Sequence, residues 1–331
     1  MRNASHTGRM SFLSTVIYHL FAKIRLSAVL LAAVLQYPAF FSCQRPGTVS
    51  TRFAPSDHID VFFFDTISPQ YLDSYQRLKA SDALYALSSV GPKRIVALSV
   101  RSLNAMDWAG IRTYADLCKY SFCLKDDTPD NPLLAGETLL DDGVSRIADI
   151  PMNTSLARIV LNTLSCDFTY TPYPGQGFYN KLIYLQYAGV EAHPFGPDSG
   201  IPVSVVNPGW LDSAAVMSFP HPEMLLQNGL GNIWRERREA GNEFWCYAND
   251  VEKAGVGRPV TRLVLEGNVG ENHCYYPIEL PGLKAGHTYY LDVSISRIGT
   301  TDPDIPASGA MLTLESSCAP WTIAGPREEI Y

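Results

Sequence analysis

The residues able to do chemistry are scattered along this chain rather than gathered. Past residue 50 the histidines are His58, His193, His221, His273 and His287, and no two stand at the i, i+2 or i, i+4 spacing that aims two imidazoles at one metal ion. Asp302-Pro303-Asp304 offers two carboxylates in a Gly/Thr-rich loop. Such a pair could take calcium or act on a glycoside, but the same pattern is a turn capped by its own Asp side chains, and it reads as a turn. The segments that a hydrolase, zinc protease or nucleotide-binding enzyme would carry (G-x-S-x-G, H-E-x-x-H, a Walker loop, G-x-G-x-x-G) do not occur. Gly229-Leu230-Gly231 lacks the third glycine and reads as loop chemistry. The aromatics of Phe244-Trp245-Cys246-Tyr247, and Tyr173, Phe178 and Tyr179, could stack on sugars, yet rings at strand ends usually close a core. The sequence therefore calls for no enzyme activity, cofactor or metal.

Cysteine usage says little more. Apart from Cys43, the thiols are Cys118, Cys123, Cys166, Cys246, Cys274 and Cys318. No pair has C-x-x-C spacing, and an even number permits disulfides without demanding them. Buried thiols, or one incidental bridge, is the plain reading.

The elements that must position these residues are strands. The 331 residues suffice for two domains of ordinary size. With 26 basic against 33 acidic residues and no dense Lys/Arg stripe, nucleic acid is excluded as a partner. Abundant Tyr and dispersed Gly and Pro suit short strands joined by many turns. Tyr289 to Ile295 alternates with period two, and Ile59 to Phe64, Arg94 to Val100, Leu156 to Leu164, Leu182 to Tyr187 and Thr261 to Glu266 also read as strands. Several of these runs are apolar on both faces. Helical signals are short: a turn or two within Asp107 to Phe122, and a short helix or two within Pro222 to Ala240, where Pro opens the segment and charges close it. The Pro/Gly-rich stretch from Pro172 to Gly177 marks a boundary between a domain over 53–176 and another over 177–331.

The N-terminus reads as an export signal. Arg2, Arg9, Lys23 and Arg25 precede the apolar run Leu26 to Phe41, which stops at Ser42-Cys43. Cys43 in that position resembles a lipobox cysteine, so residues 1–42 are expected to be a lipoprotein signal peptide. A transmembrane anchor is the competing reading, but Gln36 and Pro38 interrupt a run already shorter than the ~20 apolar residues a span needs.

Three C-terminal segments carry a resemblance. They are Cys274-Tyr275-Tyr276-Pro277-Ile278, then Gly286-His287-Thr288-Tyr289-Tyr290, then Arg297 to Pro306 with its Gly299 and Pro303/Pro306 spacing, followed by Trp321. In order and spacing they resemble the closing segment of the Bacteroides-type fimbrillins. Asp60 to Asp65, Arg94 to Leu98 and Leu156 to Val160 resemble strands of that family's first domain, the last as its closing strand. The resemblance covers most of 53–331.

It implies a mostly β fold of two transthyretin-like antiparallel β-sandwich domains with short helices in loops, acting as a structural subunit of a cell-surface fimbria (a type V pilus). It further implies export as a lipoprotein, with Cys43 lipidated and anchoring the chain to the outer membrane. An Arg-specific protease would cut after Arg52, releasing the linker or first strand over 43–52. Subunits would then join by strand exchange, with Met311 to Tyr331 as donor through Met311, Leu312, Leu314, Trp321 and Ile323. The implied partners are other fimbrial subunits and a host or bacterial surface receptor. The second reading is an outer-membrane lipoprotein that binds glycan, with exposed rings around Trp245 or Tyr179.

Overall fold

A computed structural model describes residues 21–24, 58–79, 84–87, 91–99, 108–140, 150–209 and 213–321. The chain is mostly β, as the composition indicates, and the two α-helices among the described residues are single turns: α1 (Tyr114–Leu117) and α2 (Ser213–Met217).

Residues up to 154 build a five-stranded antiparallel sheet in the order β3 (Leu72–Lys79), β2 (His58–Asp65), β5 (Lys93–Ser99), β7 (Leu134–Leu140), β8 (Asn153–Thr154). A two-stranded ribbon pairs β1 (Phe21–Ile24) with β4 (Leu84–Leu87). The HIDVFFFD run of β2 is apolar on both faces because both faces are buried. Ile59, Val61 and Phe63 pack with Ile95, Ala97 and Ile150, whereas Phe62 and Phe64 join the main core with Val96, Leu98 and Trp108.

Asp60 shares the second of those faces and is almost fully buried. Its carboxylate accepts from Arg77 Nε at 2.8 Å and Nη2 at 2.9 Å, from the Tyr75 hydroxyl at 2.7 Å and from Trp108 Nε1 at 3.1 Å. A buried charge is tolerated only when paired and fully hydrogen-bonded, and this one is. Burial, with the Asp60 carboxylate adding to it, pushes the Tyr75 phenol up to about 12. The network needs Trp108 held over β2. A 3₁₀ turn at Trp108–Gly110 does this together with α1, whose start is closed by a reciprocal Thr113–Asp116 capping box. The expected helical turns within 107–122 are thus these two.

The later residues form two facing sheets. One is β13 (Leu226–Ile233), β10 (Phe178–Gln186), β15 (Arg262–Val269), β16 (Asn272–Glu279). The other runs β12 (Pro202–Val206), β11 (Ala188–Ala192), β14 (Arg238–Tyr247), β9 (Leu156–Cys166), β17 (His287–Ile295), β18 (Leu312–Pro320), with β6 (Phe122–Cys123) pairing β11. Phe178, Ile183, Leu263, Leu265 and Tyr276 from the first sheet meet Ile159, Leu161, Phe244, Leu291 and Val293 from the second in a common core.

Two findings differ from the sequence expectations. Leu156 to Val160, expected to close the first domain, lies in β9, whose ladders run to β14 and, in parallel, to β17. By strand pairing β9 belongs with the later sheets. The second difference is 222–240, which holds only a 3₁₀ turn at Pro222–Met224 before β13 and β14. The reason is a bulge on β10 between Asn180 and Leu182. There the Asn180 amide donates to the carbonyls of Leu182 and Glu266, both at 3.1 Å, while its Oδ1 accepts from Leu230 N–H at 2.9 Å. One side chain replaces the ladder groups the bulge displaces. Gly229 allows β13 to close on that point, since a Cβ there would stand 2.4 Å from the Asn180 carbonyl oxygen.

Gly229→Ala is therefore expected to destabilise the protein by about 2 kcal/mol, the usual cost of overpacking against backbone, read as a lower urea midpoint at unchanged m-value. Asp60→Ala, which strands three donors of which Arg77 can still reach water, is expected to cost about 3 kcal/mol. A change below ~0.5 kcal/mol in the same titration, the range of ordinary surface substitutions, would remove Asp60 from its supporting role.

Candidate functional site: an exposed edge strand at the C-terminus

The alternating MLTLES segment becomes β18. It pairs with β17 over nine residues without a register break, from Ile295 opposite Leu312 to His287 opposite Pro320. Strand order leaves its far side as a sheet edge among the described residues. An edge of this kind presents unpaired N–H and C=O groups to any incoming strand.

Side chains hold β18 only at its ends. Leu312 is buried in the core, and Met311, Leu314 and Trp321 are half-buried against it, while Glu315 to Pro320 are exposed. The Trp321 ring meets that of Trp245 edge-on at 5.3 Å, and Trp321 N–H donates to the Gly286 carbonyl at 2.7 Å. Trp245 in turn lies beneath the Arg158 guanidinium, which is ion-paired with Glu243. Among the described residues the only ion pair on the exposed part of β18 is Arg237 with Glu315 at 3.6 Å, both exposed, a contact worth little in water. Each ladder hydrogen bond contributes only about 0.5–1.5 kcal/mol net, so a strand with apolar contacts confined to its two ends has low local stability.

The structure thus brings Met311, Leu312, Leu314 and Trp321 onto one strand and its flanks. Ile323, Cys43, Arg52 and, apart from Phe21–Ile24, the signal segment 1–42 lie outside the described residues. No helix among the described residues is long and apolar enough to cross a membrane.

The other singled-out residues have local structural partners. The Asp302–Asp304 loop is an Asx turn, with Asp302 Oδ1 accepting from Asp304 N–H at 2.8 Å. Asp304 Oδ1 accepts from Gln186 Nε2 at 2.6 Å and from the Tyr187 hydroxyl at 2.9 Å, and its carbonyl accepts from Arg262 at 3.0 Å. Burial, reinforced by Asp304, raises the Tyr187 phenol. His193 Nδ1 pairs with the Tyr120 carbonyl, His221 with Glu223, His273 with Glu266 and Asn268, and His287 with the Ala285 carbonyl. Trp245 is 6% exposed and Phe178, Phe244 and Tyr247 are fully buried, so of the rings offered for sugars Tyr179 is the one that stands exposed.

Comparison places the architecture. No protein-family model and no curated protein matches the chain. Solved structures do. A candidate cell adhesion protein from Bacteroides eggerthii superposes with a TM-score of 0.59 at 19% identity, over 82% of this chain and 90% of that one. Another from Parabacteroides distasonis gives 0.59 at 12%, over 89% and 96%. A fimbrilin (FimA) from Porphyromonas gingivalis W83 gives 0.54 at 12%, over 86% and 95%. This chain has the fold of the Bacteroides-type fimbrillins. At these identities the likeness is one of fold, and it spans nearly the full length of each of those chains.

The six described cysteines of this fimbrillin fold are free thiols. Cys318 is exposed on β18, whereas Cys166, Cys246 and Cys274 are buried. Burial pushes the Cys246 thiol up to about 12 and raises Cys166 and Cys274 as well. Since the thiolate is the reactive form, a maleimide at neutral pH is expected to label Cys318 in the native protein and the three buried thiols only after denaturation. Peptide mapping checks this. Fast native labelling of Cys246 would contradict the packing described.

Proposed function

We propose that the chain is a structural subunit of a cell-surface fimbria, exported as a lipoprotein through Cys43, released for assembly by an Arg-specific protease acting after Arg52, and joined to its neighbours by strand exchange in support of adhesion. The observation that carries the proposal is β18, a C-terminal edge strand held by its backbone ladder and by apolar contacts only at its two ends. Such a strand can leave its own sheet at modest cost and satisfy the open edge of another subunit, which is β-augmentation. The fold shared with a fimbrilin supports the same reading.

The acceptor is proposed to be on the N-terminal sheet, whose outer strand β3 ends its strand order. Beside it lies an apolar cavity of about 470 Å³ lined by Phe62, Leu72, Tyr75, Trp108 and Ile111, with Arg77 at its rim. Aromatic walls suit an apolar residue of a donor strand, such as Leu314. The role is structural rather than catalytic. The partners are other fimbrial subunits and a surface receptor, and the outer membrane holds the chain through its lipid until the cut after Arg52.

Deleting residues 311–331 is expected to leave export intact and abolish high-molecular-weight ladders on gels of unboiled surface extracts. Leu314→Asp, which keeps the ladder of β18 but places a charge where the donor must be apolar, is expected to weaken the ladders at least tenfold, with circular dichroism of the unassembled subunit showing that the fold is retained. Ladders of parental intensity in both variants would sink the donor assignment. N-terminal sequencing of sheared fibres reports on the processing step separately, with Phe53 as the expected first residue.

A further inference from the structure

One exposed tryptophan is held by the fold with a ring face available. Trp234 follows β13 and is 54% exposed. A Cβ built on Gly177 would lie 3.2 Å from both Trp234 Cδ2 and Cε2. Those are the two ring-fusion carbons, and equal approach to them is contact through the face of the indole rather than its rim. Gly177 therefore lies against one face of the indole, while the residue as a whole is more than half exposed.

The register supplies a second ring. Phe178 pairs with Ile233 and Tyr179 with Asn232, which sets Gly177 beside Trp234 at the end of the same ladder. Residues 177 and 179 share a strand face, so Tyr179, 48% exposed, stands on the same side as Trp234, roughly 7 Å further along the strand at 3.2–3.4 Å per residue. Tyr179 is flanked in register by Asn232 and Asn268.

Around Trp234 opens a cavity of about 500 Å³ whose lining includes Asp167, Thr169, Gln176, Arg235 and Glu236. Arg235 Nε donates to Asp167 Oδ1 at 3.1 Å, and Thr169 N–H donates to the same oxygen at 2.9 Å. The Thr169 hydrogen bonds, with Arg235 adding to them, hold the Asp167 carboxyl below its ordinary range. The carboxylate is thus fixed in place through Oδ1, and Oδ2 is left to accept from a ligand. The Gln176 amide and the Glu236 carboxylate extend the polar rim.

We propose that this end of the C-terminal sandwich is a saccharide-binding site. A pyranose presents C–H groups on one face and hydroxyls around its rim. The C–H face meets the electron-rich face of Trp234, and the next sugar along the chain reaches Tyr179. Hydroxyls donate to Asp167 and Glu236 and pair in both senses with the Gln176 amide. The cavity is within the roughly 300–1,000 Å³ range of small-ligand sites. This names the ligand class for the adhesive role proposed above, but the site sits on β10, β13 and their loops and works in a single subunit.

The test uses the soluble chain from Gln44 onward, unassembled, on an array of immobilised oligosaccharides. Binding to at least one structure is expected, and for that saccharide free in solution the affinity should fall tenfold or more in Trp234→Ala and in Asp167→Ala. Trp234→Phe should keep much of it, because a flat ring remains. Circular dichroism of each variant separates loss of the site from loss of the fold. Absence of binding across the array by the folded parent, or binding equally strong in Trp234→Ala, would overturn the proposal. Polymer ladders in the Trp234→Ala strain are expected to be unchanged, so failure of the assembly reading and failure of this one are read on different gels and arrays.

Discussion

The C-terminal sandwich depends on one corner. At Tyr187 a single run of chain leaves the four-stranded sheet as β10 and enters the larger sheet as β11. Tyr187 takes a left-handed backbone with φ of 53°, which strains any residue but glycine. Its surroundings fix it: Asn207 Oδ1 accepts from Tyr187 N–H at 2.8 Å, the Thr261 hydroxyl donates to its carbonyl at 2.9 Å, and its phenol donates to Asp304. Arg262 lies over the ring at 5.5 Å and ties the Asp304 carbonyl to the same point. The distance between the two sheets, and so the whole core between them, follows from this joint. The Asp302–Asp304 loop, read from the sequence as a turn capped by its own Asp side chains, is that turn and also a brace for the joint.

From that joint the edges follow. With β10 and β11 committed to neighbouring sheets, β13 and β16 bound the smaller sheet while β12 and β18 bound the larger. The Asn180 bulge lets β13 fit beside β10 and so sets where the chain emerges at Trp234. β18 is the last strand among the described residues and borders the larger sheet beside β17.

Local pattern made the strands legible. β2, β5, β9, β10, β15 and β17 carry period-two or continuous apolar runs rich in β-branched and aromatic residues, and each formed where expected. What was not legible is non-local. The partners of β9 are strands 238–247 and 287–295, and nothing within 156–166 names them. Residues 222–240 looked helical because Pro and a charged tail mimic helix ends, while the reason for a strand, the amide of Asn180, lies some fifty residues upstream. Asp60 lies within an apolar strand, but its partners are remote from it: Tyr75 and Arg77 come from β3 and Trp108 from the 3₁₀ turn. The aromatic cluster around Trp245 is core, and the exposed indole among the described residues is Trp234, hidden in the segment read as helix. In the C-terminal segment the alternation extends over two leucines only, which is enough to mark a strand and too little to fix its neighbours.

The unbroken register of β17 and β18 has a mechanical side. When a strand is drawn lengthwise, its ladder is loaded in shear and all nine pairs share the tension; when it is lifted from one end, the pairs part singly. Once Trp321 has let go of Trp245, the same terminal strand is therefore easy to peel from Pro320 towards Glu315, where the side chains are exposed, and hard to drag out along its axis. Resistance of that kind depends on the direction of pull and not on the depth of burial.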